Sequence, residues 1–308
     1  MRLNCSTSRF VLAGLIALSP VPALAARSGS DATALQVALH RAGFSTGEID
    51  GKAGSNTRKA VAAFQASNGL PATGVADHST RKVLLDVAPG EPLASYTLTP
   101  EDVAGPFAGK IPADMMEKAA LPALDYASVD EMLGERFHCS PALLRRLNPR
   151  SHFRAGDVLQ VPAISDTAPA AKVARVIVSK RRSVVEAMDE AGRIVFFAPV
   201  TAGSEKDPLP LGSWKVKGIA AKPTFHYNPD LFWDAAAEDA KVTVPAGPNN
   251  PVGVVWIDID KEHYGLHGTP EPSKVGHAES HGCVRLTNWD ALALAGMVSP
   301  GTPVLFVE

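Results

Sequence analysis

Cysteine is scarce, with three in 308 residues, at Cys5, Cys139 and Cys283. That excludes a disulfide-stapled scaffold, and it leaves a structural zinc module without the paired thiols it usually needs. Charge of one sign is also lacking, since 30 basic side chains face 32 acidic ones for a formal charge of -2. No basic run stands out, so neither nucleic acid nor an anionic membrane surface is an expected partner. Long apolar runs are missing as well. The most prominent, FVLAGLIAL near the N-terminus, falls short of the ~20 residues that span a bilayer. A hydrophobic content of 45% still suffices for ordinary cores, and the length suits two or three domains.

What is present begins with an export signal. Arg2 and Arg9 flank the n-region, FVLAGLIAL is the apolar core, and Ala23 to Ala25 are the small residues that a signal peptidase reads. Residues 1–25 are therefore expected to be removed, leaving an exported protein of the periplasm or cell wall with no membrane insertion. Cys5 goes with the leader and lies ahead of the apolar run, so it is not placed for a lipid anchor. Cys139 and Cys283 remain, and together they could form one bridge.

Residues 31–87 read as three short helices. ALQVALHRAGF has apolar residues at helical spacing, STGEIDGKAGSNT is a loop, TRKAVAAFQASNGL is a second helix, and PATGVADHSTRKVLL holds a third. Asp50-Gly51 supplies a tight turn, and Thr57 precedes the apolar pattern as a helix start. The arrangement resembles the peptidoglycan-binding family of three-helix modules. The resemblance implies cell-wall affinity, with Asp50 to Thr57 a candidate surface; the same residues also serve as turn and cap formers.

Residues 88–123 recur in proline too often for a long helix and read as an ordered linker with short helical pieces. Residues 124–163 contain one helix, a break at Ser140-Pro141, a second helix, an Asn148-Pro149 stop and a short strand. This segment, through LNP and AGDVLQVP, resembles a lysin-motif (LysM) unit, a family that binds glycans containing N-acetylglucosamine; a structural spacer is the alternative. Packing is the expected role of Cys139. Residues 164–172, with their Ala, Pro and Ser-Asp-Thr texture, read as a second linker.

From residue 173 to 308 the period changes. ARVIVSK, GRIVFFAPV, GSWKVKGIA, VVWIDID, YGLH and PVLFVE are short β-branched runs, with a hairpin turn at DEAGR and one late helix in TNWDALALAGMV. The expected fold class is thus multidomain α+β: a three-helix N-terminal module, a small LysM-like α/β module and a mostly-β catalytic domain of sandwich or barrel type.

Chemistry concentrates in HGTPEPSKVGHAESHGCVRL, His267 to Leu286. A cysteine attacks acyl carbons as thiolate, which a nearby imidazole, backbone N–H groups or a helix N-terminus favours. Cys283 has His281 two residues before it, Gly282 beside it, and a helix starting near Thr287 or Asn288, where Asn288 is the expected cap. His267 stands at a strand end, followed by Gly268, whose carbonyl could accept the Nδ1 proton and orient the ring. His263 and His277 are expected at the surface. The scattered histidines fit zinc poorly, and no metal or cofactor is expected.

This stretch resembles the active-site signature of L,D-transpeptidases of the YkuD type. The resemblance implies Cys283 as nucleophile, His267 as general base oriented by Gly268, and His281 with the N–H groups around Gly282 and Cys283 as the oxyanion site. It implies that Arg285 holds a substrate carboxylate. Ser280 is a candidate substrate contact or a turn hydroxyl; Tyr227, in the aromatic segment TFHYNPDLFW, is a candidate for facing substrate, while Phe225 and Phe232 are expected in the core. The implied reaction takes a peptidoglycan tetrapeptide stem, forms a thioester and passes it to an amine, giving 3-3 cross-links. The expected partners are the stem peptides and glycan strands of peptidoglycan. Water as acceptor would make an L,D-carboxypeptidase, and a protein lysine would make an attachment enzyme. A non-catalytic wall-binding protein is the alternative of another class.

Overall fold

The computed structural model describes residues 28–164, 173–277 and 282–308. The expected leader, residues 165–172 of the expected second linker, and Ser280 and His281 lie outside the described residues. Among the described residues, no helix is long and apolar enough to cross a membrane.

Three helices open the chain: α1 (Ser28–Arg41), α2 (Ser55–Ser67) and α3 (His78–Val87). α3 starts where Asp77 accepts the Thr80 N–H, a side-chain cap of the usual kind. The cap of α2 is Gly54 rather than a residue beside Thr57. Thr57 is instead buried, and its Oγ1 receives the Gln36 amide at 3.2 Å. The same amide donates to Asp50 Oδ1 at 2.9 Å, so both polar residues serve the turn.

The segment from 88 to 123 does more than link. It contributes strand β1 (Leu93–Thr97) and the short helices α4 (Pro100–Ala104) and α5 (Met115–Ala119). After α6 (Val129–Arg136) and α7 (Pro141–Leu147), strand β2 (Val158–Pro162) pairs antiparallel with β1, Leu93 opposite Pro162. The second module therefore begins about thirty residues earlier than helix and turn signals in 124–163 suggest. Ser140 caps α7, with Pro141 in its first turn, and Asn148 ties α7 to β2 by giving its amide N–H to Gln160 O and taking the Gln160 N–H.

The C-terminal part is mostly β. Its strands are β3 (Arg175–Ser179), β4 (Val184–Met188), β5 (Ile194–Pro199), β6 (Thr201–Ala202), β7 (Gly212–Ala221), β8 (Phe225–Tyr227), β9 (Val242–Val244), β10 (Val255–Ile259), β11 (Gly265–His267), β12 (Val284–Arg285) and β13 (Pro303–Val307), with helix α8 (Asn288–Met297) before the last. Nine of them form one ladder in the order β5-β4-β3-β13-β7-β10-β11-β12-β6. The long β7 belongs to two halves: residues 212–215 pair with β13 and residues 216–221 with β10. Side chains from both halves, among them Val178, Phe306, Ile257 and Leu266, meet Leu294 of α8 in one core. Burying such side chains is the main favourable term in holding the halves together, at about 25 cal/mol per Å² of apolar surface.

The modules share their cores. Val184 and Phe197 of the β domain pack with Leu35, Leu39, Phe44 and Phe64 of the first module. Val37 and Ile49 of the first module sit in the core of the second, beside Leu133, Leu144 and Cys139. Backbone bonds reinforce this: Ser45 N donates to Phe197 O and Phe197 N to Gly43 O, covering edge strand β5. Cys139 packs as expected, being 1% exposed, and burial pushes its thiol up to about 12.

Polar groups are also buried at this junction. His138 Nδ1 lies 2.8 Å from His40 Nε2, the His138 ring stacks on Trp289 at 5.1 Å, and Ser45 Oγ donates to Asp290 at 2.9 Å. Burial is the first cause that pushes Glu48 up to about 7, Glu135 to about 8 and Asp290 to about 7, and that drives His40 down to about 4. An acid with a raised folded pKa contributes stability that is complete below its unfolded value and is lost as pH rises through the folded value. The sign for His40 is opposite: neutral in the fold, it adds stability as pH rises from about 4 to its ordinary 6.5. Thermal unfolding from about pH 5 to about pH 9 should therefore show Tm falling as pH rises towards about 8 and level above it, each acid contributing on the order of 1 kcal/mol per pH unit until it ionises in the fold. Glu135→Gln should flatten that falling limb, and a limb that stays unchanged in Glu135→Gln, Glu48→Gln and Asp290→Asn would rule the junction out as its source.

Candidate active site

The chemistry-bearing residues converge on three adjoining strands. β11 and β12 run parallel with Leu266 opposite Val284 and His267 opposite Arg285, and β10 lies on the other side of β11 with Trp256 opposite His267. Residues paired across a ladder share a face, and residues two apart on a strand do too. Ala220, Trp256, His267, Arg285 and Thr201 therefore form one cross-strand row. Cys283 lies in the bend just ahead of β12, with its Sγ against the start of β11 at His263 O and Gly265 N.

His267 is 3% exposed, and its ring lies flat against Trp256 at 5.3 Å. Nδ1 sits 2.7 Å from the Gly268 carbonyl. A carbonyl only accepts, so Nδ1 carries the proton and Nε2 keeps the lone pair. Burial drives this imidazole down to about 3, with the Arg285 charge adding to the effect and the Gly268 bond opposing it. The ring is neutral at pH 7, the form that a base requires.

Cys283 is half-buried. Its Sγ lies 3.6 Å from the His263 carbonyl and accepts from the Gly265 N–H. Burial pushes the thiol above its ordinary 9.0, opposed by that N–H and by the Arg285 charge. Thiol and imidazole are thus both neutral at rest, and the thiolate forms only as its proton leaves. Gly282 precedes it at φ 96, where an added Cβ would come within 2.7 Å of the Tyr264 ring. Only glycine meets both demands.

Arg285 is partly exposed, yet its Nε is buried without a hydrogen-bond partner among the described residues. Burial lowers its pKa, offset by Cys283, Glu271 and Asp234. An unmet guanidinium N–H is costly, and a carboxylate meets it in the planar fork geometry that arginine favours. Gly268 is held close by α8, since an added Cβ would lie 2.2 Å from Asn288 Oδ1.

Asn288 is not the helix cap. Thr287 fills that role by accepting the Asp290 N–H, and Asn288 joins modules instead, taking the Val254 N–H and donating to Glu135. Tyr227 falls away from the site: it is 4% exposed, packs with Val244 and Leu124, and gives its hydroxyl to Asp239 at 2.6 Å. Phe225 and Phe232 pack beside it, so the aromatic segment approaches the site through Asp234, close enough to act on Arg285. The side chains of His263 and His277 are exposed, as expected. Ser280 and His281 lie outside the described residues. Trp256 and Tyr264 were not singled out by sequence; on a strand of alternating pattern an aromatic residue reads as core, and only register reveals what it covers.

Residues 173–305 match the L,D-transpeptidase catalytic domain (YkuD) family, and residues 28–84 match a peptidoglycan-binding domain family. The chain is thus similar to an L,D-transpeptidase catalytic domain over its C-terminal part and to a peptidoglycan-binding domain over its N-terminal part. YkuD of Bacillus licheniformis, which bears an L,D-transpeptidase name, is 49% identical over 57 residues, 18% of this chain and 34% of that protein. YbiS of Escherichia coli K12, likewise so named, is 36% identical over 118 residues, 37% of this chain and 38% of that protein. The matched part spans little more than a third of the length of these curated relatives. Among solved structures, an L,D-transpeptidase from Mycobacterium smegmatis aligns at 20% identity over 50% of this chain and 64% of its own, with a TM-score of 0.36.

Proposed function

We propose that this protein is an exported peptidoglycan L,D-transpeptidase that works through a Cys283 thioester. The observation that carries the reading is His267 paired with Arg285 across β11 and β12, with Cys283 in the bend that leads into β12 and the His267 tautomer set by the Gly268 carbonyl. The donor is a tetrapeptide stem whose carboxylate pairs with Arg285. As Sγ attacks the carbonyl of the third residue, its proton passes to His267 Nε2 and a C–S bond forms. The developing oxyanion is met by N–H groups around Gly282 and Cys283, with His281 beside them. The C–N bond to the terminal D-alanine then breaks, and the proton on His267 goes to the departing amine. A second amine, the side chain of another stem's diaminopimelate, attacks the thioester, restores the thiol and leaves a 3-3 cross-link.

The first module, and the second if it binds glycan as a LysM unit does, concentrate the enzyme on a polymer that offers many equivalent sites. No cofactor enters the scheme. Incubation with a defined disaccharide-tetrapeptide, followed by chromatography and mass spectrometry, tests it. A cross-linked dimer with release of one D-alanine supports transpeptidation. Tripeptide alone assigns the acyl-enzyme to water, and unchanged substrate removes the catalytic reading.

A further inference from the structure

The loop that follows His267 and Gly268 is gripped from two sides. On one side Thr201, opposite Arg285 in the β6–β12 ladder, accepts the Gly276 N–H at 3.1 Å and donates to Lys274 O at 3.4 Å. On the other, Asn56 of α2, in the peptidoglycan-binding domain, donates its amide to Val275 O at 3.0 Å across 219 residues of sequence. Contact there is close. Gly276 has φ 80, and an added Cβ would lie 2.6 Å from Asn56 Oδ1. That oxygen is buried with no hydrogen-bond partner among the described residues, an arrangement that a residue near a helix start would avoid by turning to solvent. Docking holds it in place, since Gly43 and Ser45 of the same module are hydrogen-bonded to Phe197, and Ser45 also to Asp290.

We propose that Asn56 is a positioning residue for the active site, so that the peptidoglycan-binding domain completes the catalytic loop as well as serving the polymer. The inference rests on Cys283 being the acyl acceptor. Its path is short: the Asn56 amide fixes Val275 and Gly276, Gly276 and Lys274 fix Thr201, and Thr201 lies beside Arg285 in the row that faces the donor carboxylate. Misplacement of reacting groups by about 1 Å costs up to ~10²-fold in rate. Loss of one of the two grips should cost about 5- to 20-fold.

The test is a double-mutant cycle of Asn56→Ala and Gly276→Ala on the full chain, read as the rate of Cys283 acylation by a defined disaccharide-tetrapeptide. Binding to isolated sacculi is measured in parallel. Asn56→Ala and the isosteric Asn56→Asp, which loses the donor, should each slow acylation about 5- to 20-fold while sacculus binding stays within about twofold. Gly276→Ala should be slower still, and adding Asn56→Ala should recover part of that loss because the clash with Oδ1 is removed. Acylation within about twofold of the parent in both Asn56 variants, or strict additivity in the cycle, would overturn the proposal. So would parallel loss of sacculus binding, which makes Asn56 a glycan contact. If the parent itself is not acylated, the enzymatic reading fails, and the same cycle is read on iodoacetamide alkylation of Cys283. Non-additivity there sustains the coupling and additivity ends it.

Discussion

Cys283→Ala should reduce cross-linked product from a defined disaccharide-tetrapeptide by roughly 10³-fold or more, because it removes the atom to which the acyl group is attached. The fold should tolerate it. Cys283 is half-buried and lies outside the main cluster of the β domain, so the loss of one sulfur should change stability by no more than about 1 kcal/mol. Intact-mass analysis after exposure to a carbapenem gives a second readout, with one adduct on the parent and none on Cys283→Ala. Cys139 provides the internal control, since its thiol is 1% exposed and held up to about 12 by burial. An adduct that persists in Cys283→Ala, or product within about tenfold of the parent, would falsify the assignment.

Removing the base should cost nearly as much. A positioned general base contributes about 10²- to 10⁴-fold, and His267→Asn is the informative change because an amide can still donate to the Gly268 carbonyl while offering no basic nitrogen. The expected result is that loss of rate with sacculus binding intact. His267→Ala would in addition leave a hole against Trp256 and an unmet carbonyl, so its effect would mix chemistry with stability. The pH profile of the parent supplies the sign. Burial holds the imidazole down to about 3, so the base form is already complete at about pH 5 and His267 should produce no acid limb above that. The thiol, pushed above 9.0, should make the rate climb into the alkaline range. An acid limb near 6.5 that disappears in His267→Asn would show an imidazole solvated to its ordinary value, contrary to the buried, stacked ring.

Shared cores bear on how the N-terminal modules should be probed. Deleting residues 33–87 would strip Val184 and Phe197 of their packing partners and unfasten edge strand β5. A fall in sacculus binding after such a deletion would then report damage as readily as lost recognition. Substitutions on the exposed stretch from Lys52 to Gly54 leave both cores untouched and address the candidate wall-binding surface directly.

Much of the site was legible in the sequence because its parts lie in one stretch. His267, Gly268, Gly282, Cys283 and Arg285 fall within nineteen residues, and the roles proposed for them follow from residue type: a thiol, an imidazole with a neighbouring carbonyl, and a cation for a carboxylate. The three N-terminal helices and the DEAGR hairpin were legible for a related reason, since helical period and turn chemistry are local signals. Strand β1 was not, because its partner β2 lies more than sixty residues away and its prolines and polar neighbours read as linker. Tyr227 misled because an aromatic residue before the catalytic strands suits a cleft and a core equally well; the nearby Asp239 carboxylate decided for the core by satisfying its hydroxyl.

By itself, then, the sequence determined the mixed helical and mostly-β make-up and singled out the candidate reacting groups, since both depend on side-chain chemistry and short-range pattern. Tertiary structure alone decided that Trp256 lies over His267, that Thr201 stands beside Arg285, that buried acids and histidines meet at the module junction, and that Asn56 reaches the catalytic loop. Each of these depends on strand register and on cores assembled from residues far apart in the chain, where contact is set by packing that no local pattern encodes.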